Sequence, residues 1–224
     1  MRTGISLYMG SGLATNTQVI KKAHAAGASF AFTSLQIPEE TGIDQANETH
    51  RLLQLCREAN LNLIADISPR TLAKLGYSSL TELKGTGIDY VRLDFGFSAA
   101  ETVELSHDFH IVFNASTISK QDILAWRSAG ADFTRFAACH NYYPKPLTGL
   151  SIERVSNINR ELSDLGFTTM AFIPGDKDLR GPLHESLPTV EAHRGDTADQ
   201  LAIDALELLE AKTDVIMVGD PDLS

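Results

Sequence analysis

The amino-acid sequence predicts an α/β fold in which eight parallel strands and their crossover helices close into a barrel. The first observation is a helix-ending glycine followed at once by an apolar run, which occurs four times, at Gly27, Gly87, Gly130 and Gly166. Glycine takes the left-handed conformation that ends a helix at low cost. The apolar run that follows is typical of a strand entered from a helix. The repetition therefore predicts repeated helix-to-strand joints and parallel strands.

The second observation concerns the far ends of the same runs. They finish in polar residues of different types, among them Asp66, Asp94, Asn114 and His140. One end of the sheet is thus uniform and the other chemically varied, which is typical of a (β/α)8 barrel, the TIM barrel, with its chemistry on one face. An open doubly wound sheet is the alternative, but the G-x-G-x-x-G phosphate fingerprint of that fold is missing from the sequence.

Eight candidate strands can be marked along the chain, at residues 4–9, 29–36, 61–67, 90–94, 110–114, 132–139, 168–173 and 214–218. Most are continuous apolar or β-branched runs, as expected of strands covered on both faces. Helical patterns separate them, and only the helix after the eighth strand is lacking. We therefore expect one TIM-barrel domain over residues 1–224 that is incomplete at its C-terminal end.

The helix starts are indicated by capping residues. The segments 15–18, 79–82 and 98–101 fit the capping box, in which a hydroxyl and a Glu or Gln exchange bonds with free backbone N–H groups. Ser119 and Ser151 are candidate N-caps without the box. Residues 46–60 and 197–212 place apolar side chains along one face, which predicts two amphipathic helices.

Composition excludes several classes of function. The 224 residues carry a formal net charge of −10, and 43% of them are hydrophobic. An acidic chain is a poor match for nucleic acid or an anionic membrane, both of which favour a basic face. No apolar run reaches the length of a membrane span, and the N-terminus lacks a signal-peptide pattern. Two cysteines make no disulfide framework, so we expect a cytoplasmic protein.

Carboxylates near strand ends are the first candidates for catalysis. Glu39 follows the second predicted strand, Asp66 ends the third and Asp94 ends the fourth. In a barrel these positions are neighbours around one rim, where adjacent carboxylates can divide into a proton donor and an ionised partner, as glycoside cleavage requires. A structural role is the alternative for each of them: a salt bridge to Arg92, or, for Asp66, the cap of a short helix near Pro69.

Two long connections supply candidates for substrate binding. Asn114 ends the fifth strand and is a candidate for hydrogen bonding to a sugar, or a turn-forming residue. The connection after the sixth strand contributes His140, Asn141, Tyr143 and Lys145, and the connection over 174–196 contributes Arg180, Glu185, Glu191 and Arg194. Loops of such length are commonly functional, and the basic residues are candidates for a phosphate or a carboxylate of the substrate. Without an H-x-H or H-E-x-x-H motif we expect no metal and no cofactor.

Four segments together resemble the bacterial 6-phospho-N-acetylmuramidase family. They are Leu35-Gln36-Ile37-Pro38-Glu39-Glu40, Arg92-Leu93-Asp94-Phe95-Gly96-Phe97, the segment His140-Asn141-Tyr142-Tyr143-Pro144-Lys145-Pro146-Leu147-Thr148-Gly149-Leu150-Ser151, and residues 180–194, RGPLHESLPTVEAHR. The resemblance runs in order through the whole chain.

The resemblance implies a cytoplasmic hydrolase of peptidoglycan recycling. Its substrate would be a 6-phosphorylated N-acetylmuramyl–N-acetylglucosamine disaccharide, cleaved to N-acetylmuramate 6-phosphate and N-acetylglucosamine. It also implies a smaller, β-rich C-terminal domain after the barrel, and we expect residues 1–224 to hold the barrel alone. Two alternatives stay open: a phosphosugar aldolase or isomerase, and a noncatalytic barrel that binds a phosphosugar. No predicted strand holds a central or terminal lysine for a Schiff base, which counts against the first.

Overall fold

A computed structural model describes residues 1–34, 45–67, 72–73, 76–93 and 96–221. Eight parallel strands pair in sequence order, and β8 closes the barrel on β1. The strands are β1 Arg2–Ser6, β2 Phe30–Ser34, β3 Asn62–Asp66, β4 Ile88–Arg92, β5 His110–Asn114, β6 Phe136–Cys139, β7 Thr168–Ile173 and β8 Val215–Val218. The predicted TIM-barrel fold is confirmed.

Within the described residues, six α-helices pack around the barrel. They are α1 Gly12–Ala25, α2 Gln45–Glu58, α3 Ala99–Ser106, α4 Lys120–Ser128, α5 Ile152–Ser163 and α6 Ala198–Glu210. None of these helices has the length and apolar character needed to cross a membrane.

The four glycines of the helix-to-strand joints behave as predicted. Gly27, Gly87, Gly130 and Gly166 all have φ between +77° and +104°. Most side chains are strained in that conformation, whereas glycine is not. The glycines that predicted the parallel topology are therefore needed because the backbone takes a positive φ at these joints.

The predicted helix starts are confirmed in part. Ser98 forms a capping box with Glu101, Ser119 forms one with Asp122, and the Ser151 hydroxyl caps α5. The capping box predicted at 15–18 is wrong, because α1 already begins at Gly12 and Thr15 lies inside it. At 79–82 the Ser79 side chain caps nothing, and a 3₁₀ turn follows it.

Several strand boundaries differ from the prediction; β4, for example, begins at Ile88 rather than at residue 90. Two of the differences have a local cause. Strand β6 begins at Phe136 rather than at residue 132, because residues 133–135 form a 3₁₀ turn in which the Thr134 amide is capped by the Asp132 side chain. Strand β1 ends at Ser6, since the chain turns into a 3₁₀ helix over Met9–Ser11. The predicted ends at residues 36 and 94 lie outside the described residues.

The core has two apolar layers. One fills the barrel interior and includes Phe30, Ile64, Phe172 and Met217. The other lies between the strands and the helices. Because side chains two positions apart on a strand share one face, the inward-facing residues that follow this apolar layer are polar. The interior therefore ends in a polar layer at the carboxyl ends of the strands.

Candidate active site

The mouth of the barrel is lined by polar residues at the ends of consecutive strands. Each lies two positions beyond a residue of the apolar interior and therefore shares its face; they are Ser34, Asp66, Arg92 and Asn114. The carboxyl-terminal face is where TIM-barrel enzymes carry their active sites. This polar layer is the candidate active site.

Asp66 is the predicted catalytic carboxylate that the structure describes. The Ser34 hydroxyl donates to its Oδ2 over 3.1 Å, and its register partner on β4 is Arg92. The carboxylate therefore lies at the mouth, next to a hydroxyl and in register with an arginine. Residues 68–71 are outside the described residues, so the alternative of a helix cap there is not tested.

Asp94 and Glu39, the other two predicted catalytic carboxylates, lie outside the described residues. Their strands β4 and β2 end at Arg92 and Ser34, at the mouth. Both assignments stay predictions, and so does the separation between the carboxyl groups that would decide retention or inversion.

Arg92 is a residue of this face that the sequence analysis treated only as a possible partner. It is 5% exposed, its Nη2 donates to Oδ1 of Asn141, and its guanidinium carbon lies 5.9 Å from the ring centroid of Phe32. Arginine is almost never buried without a partner. Its position inside the apolar run Val91–Leu93 was the signal that could have identified it.

Asn141 and Tyr142 follow β6 and form one wall of the mouth. The Thr189 hydroxyl donates to the Asn141 carbonyl over 3.0 Å. The Tyr142 ring packs edge-to-face on Phe172 and Phe32, with centroids 5.2 and 6.3 Å apart, and burial raises the pKa of the Tyr142 hydroxyl. Tyr142 thus covers the barrel interior, whereas the predicted residue Tyr143 lies next to it with its amide bonded to the Pro188 carbonyl.

His140 turns away from the mouth. Its imidazole is fully buried, and Nε2 donates to Oδ1 of Asn159 on α5 over 2.9 Å. Burial lowers the pKa of His140 to about 4, so the ring is neutral at physiological pH. Asn159 in turn donates to the Ala211 carbonyl and the Thr213 hydroxyl. The geometry favours a structural role for His140, which joins β6 to α5.

Asn114 has a local partner. Its Oδ1 accepts from the Ser116 amide over 3.1 Å, which forms a turn at the end of β5. The turn-forming role is thus present. Binding of a sugar by Asn114 stays a prediction.

Glu191 and Arg194 join the two long loops. Arg194 donates to both carboxylate oxygens of Glu191 over 2.7 and 2.9 Å and to the Tyr143 carbonyl over 2.8 Å. Glu191 also accepts from the amides of Leu147 and Gly149. These bonds occupy both side chains, so the geometry favours a structural role where the sequence predicted substrate contacts.

The Glu191 carboxylate predicts a pH-dependent stability. Its hydrogen bonds to Arg194 and to two amides hold its pKa at about 2, below the value of about 4.3 expected when unfolded. Its ionised form therefore stabilises the fold above about pH 4.3, and this contribution is lost as the pH falls towards 2. We expect Glu191→Gln to lower the thermal midpoint at pH 7, with a smaller difference from the unsubstituted protein at pH 3. A difference that is equal at both pH values contradicts this account.

Arg180, Lys145 and Glu185 line a cleft of about 280 Å³ beside the mouth. The Arg180 guanidinium also lies over the Tyr8 ring, with Cζ 4.6 Å from its centroid. The structure thus brings Arg180 and Lys145, two predicted anion-binding residues, to one cleft. Glu185 joins them there, and its side chain adds a negative charge.

Asp220 is a second residue that the sequence analysis missed. It lies two residues after the end of β8, is 2% exposed, and accepts hydrogen bonds from the amides of Gly175, Arg180 and Leu187 over 2.9, 3.1 and 2.9 Å. Burial raises the pKa of Asp220, and these amide bonds oppose the shift. One buried carboxylate therefore fixes the loop that carries Arg180.

In the part of the chain that the structure describes, neither a metal site nor a reactive thiol has a candidate group. No cluster of three or more His, Cys, Asp or Glu side chains suited to a metal ion occurs there. Cys56 and Cys139 are free and buried, and burial raises the pKa of their thiols to about 12 and about 11. A thiol with such a pKa is a poor nucleophile.

Comparison with known proteins gives one family and several solved structures. The model of the N-terminal part of 6-phospho-N-acetylmuramidase matches residues 3–224, whereas no curated protein matches the chain. A conserved Enterococcus faecalis protein of unknown function is 33% identical, with a TM-score of 0.89. An uncharacterised B. cereus protein is 23% identical, with a TM-score of 0.81. The chain is covered completely in both comparisons and spans 62% of each of those chains.

A beta-mannanase from Thermomonospora fusca matches at 9% identity and a TM-score of 0.56, over 97% of this chain and 78% of the mannanase. At that identity the likeness concerns the fold alone. It agrees with the closed barrel described above.

Proposed function

The chain belongs to the 6-phospho-N-acetylmuramidase family, and from that membership we propose that its barrel carries the active site of a glycoside hydrolase. The proposed substrate is a 6-phosphorylated N-acetylmuramyl–N-acetylglucosamine disaccharide, and the products are N-acetylmuramate 6-phosphate and N-acetylglucosamine. The family match over residues 3–224 carries the proposal. A role in peptidoglycan recycling in the bacterial cytoplasm belongs to the same proposal.

We assign the two carboxyl groups that glycoside cleavage needs to the mouth of the barrel. One carboxylic acid must protonate the leaving oxygen, while a second carboxylate activates water or attacks the anomeric carbon. We assign these roles to Asp94 and Glu39 in either order, with Asp66 as a further candidate for the base or nucleophile. The described position of Asp66, bonded to Ser34 at the mouth, supports this assignment.

The phosphate is assigned to the cleft beside the mouth. Because the chain carries a net charge of −10, an anionic substrate needs a local concentration of positive charge. Arg180 and Lys145 line one cleft, and arginine binds phosphate through a planar pair of donors. Tyr8 and Asp220 fix the guanidinium and the backbone of Arg180, so this side chain is held in place before substrate binds.

This assignment predicts a change in substrate affinity on loss of Arg180. We expect Arg180→Gln to raise KM for the phosphorylated disaccharide by about 10- to 100-fold, because a charge-assisted bond to an anion is worth about 1.5–3 kcal/mol. The matched control is Arg154→Gln, an exposed arginine on α5 outside the cleft, which is expected to leave KM unchanged. Equal KM values for the Arg180 and Arg154 variants would refute the phosphate assignment.

Product analysis tests the proposed reaction and its alternatives. Incubation of the phosphorylated disaccharide in ¹⁸O-water, followed by mass spectrometry, is expected to give N-acetylglucosamine and a muramate 6-phosphate labelled at its anomeric oxygen. Borohydride with a keto-sugar phosphate is expected to trap no covalent adduct. An adduct would favour the aldolase alternative, and binding without cleavage by the folded protein would favour the noncatalytic barrel.

A further inference from the structure

Arg92 connects three parts of the barrel mouth. On one side Asp66 of β3 is its register partner. Its Nη2 donates to Asn141, two residues after β6, and its guanidinium carbon lies over the ring of Phe32 on β2. Strand β4, which pairs with the strand of a candidate catalytic carboxylate, is thus joined to the segment after β6 and to β2 through one side chain.

Asn141, the first residue of the Asn141–Tyr142 wall, is held by hydrogen bonds to two residues. Thr189, in the connection between β7 and α6, donates to the Asn141 carbonyl, while Arg92 binds the Asn141 side chain. The next residue, Tyr142, covers the barrel interior through its contacts with Phe32 and Phe172. A change at Arg92 would therefore move the Asn141–Tyr142 wall relative to Asp66.

Packing alone does not account for an arginine at this position. Burial of a guanidinium costs several kcal/mol, and a well-packed apolar residue of similar volume is often neutral or stabilising in its place. The residue is only 5% exposed and its guanidinium carbon lies over an aromatic ring, at a position where a leucine or methionine would pack. The cation is thus better explained by the chemistry of the mouth than by the stability of the barrel.

We infer that Arg92 is a positioning residue of the active site, which fixes the Asp66 carboxylate and the Asn141–Tyr142 wall relative to each other. This inference rests on the proposed glycosidase function. Asp66 is the register partner of Arg92 on the neighbouring strand, and the planar guanidinium keeps one geometry through directed bonds such as the one to Asn141. Because Arg92 acts through these neighbours, its loss should reduce kcat and leave KM nearly unchanged.

The test is chemical rescue of Arg92→Ala. We expect kcat to fall by about 100-fold, the size of effect known for a displacement of about 1 Å in a catalytic group, while KM changes by less than about threefold. Guanidinium chloride at millimolar concentration should restore kcat by about tenfold, since it replaces the missing cation. Urea has the same shape without the charge and should restore nothing. Rescue by urea to the same extent, or a rise in KM with kcat unchanged, overturns the inference.

Two further variants keep the result interpretable. Arg135→Ala is the matched control, because Arg135 donates to the Ser106 carbonyl at the opposite end of the barrel and is expected to leave kcat unchanged. Arg92→Lys retains the charge without the planar donors and should show an intermediate kcat that guanidinium does not improve. If Arg92→Ala does not fold, the inference is tested with Arg92→Lys alone. A kcat of Arg92→Lys equal to that of the wild-type protein then overturns the inference.

A wild-type protein that cleaves no phosphorylated disaccharide would refute the proposed function rather than the role of Arg92. The inference is then tested by hydrogen exchange, in which amides 141–143 should exchange faster in Arg92→Ala than in Arg135→Ala. Equal exchange rates in the two variants overturn it.

Discussion

Asp94→Asn and Glu39→Gln are each expected to lower kcat for the phosphorylated disaccharide by about 1,000-fold. Proton transfer by a positioned carboxyl group contributes about 10²- to 10⁴-fold to a rate, and an amide of the same shape neither donates an acidic proton nor attacks an anomeric carbon. KM should change little, because the substituted groups act on the glycosidic bond rather than on the anionic parts of the substrate. Steady-state kinetics of the two variants checks this.

The control for these variants is on the same strand as Asp94. Asp89→Asn changes an exposed carboxylate of β4 near the amino-terminal end of the barrel, and full activity is expected. If both the Asp94 and Glu39 variants retain near-normal turnover, the assignment of the catalytic carboxylates is wrong. If only one does, Asp66→Asn becomes the decisive variant for the second carboxylate.

Asp220→Ala is expected to lower the free energy of unfolding by about 3 kcal/mol. The substitution leaves three amide donors in a buried site without their acceptor, and each such group costs about 1–3 kcal/mol unless water reaches it. Because one of these donors is the Arg180 amide, affinity for the phosphorylated substrate should fall as well. Urea unfolding and KM measured on the same preparation check both effects.

The matched control for Asp220 lies just before the other end of β8. Asp214 is exposed, and its carboxylate accepts from the Thr169 amide over 2.9 Å and from the Thr169 hydroxyl over 3.3 Å. Asp214→Ala should cost about 1 kcal/mol, because water reaches these exposed groups and replaces the lost acceptor, and KM should be unchanged. Equal losses of stability for the two variants would contradict the role given to Asp220.

The fold could be predicted because its signals are local. A glycine such as Gly130 with φ of +88° ends a helix wherever that helix packs, and the apolar run after it has few alternatives to a buried strand. Boundaries such as the start of β6 were missed where a short side chain, that of Asp132, caps a turn inside an apolar run.

The site was predicted less completely, because its key contacts join residues far apart in sequence. Arg92 binds Asn141, 49 positions away, and Asp220 accepts from Gly175, 45 positions away. The spacing of residues in the sequence does not indicate which distant residues will bind each other. Conversely, His140 and Arg194 have residue types suited to a substrate, but their partners are α5 in one case and two loops in the other.

The most direct test is the rate of hydrolysis of the 6-phosphorylated muramyl–glucosamine disaccharide beside its unphosphorylated counterpart. The account predicts cleavage of the phosphorylated compound, with a kcat/KM higher by about 100-fold or more, the value of one or two charge-assisted bonds to the phosphate. Equal cleavage of both compounds would refute the assignment of the substrate phosphate to the cleft. Cleavage of neither by the folded protein would contradict its central claim, that the mouth of this barrel hydrolyses a phosphorylated amino-sugar disaccharide.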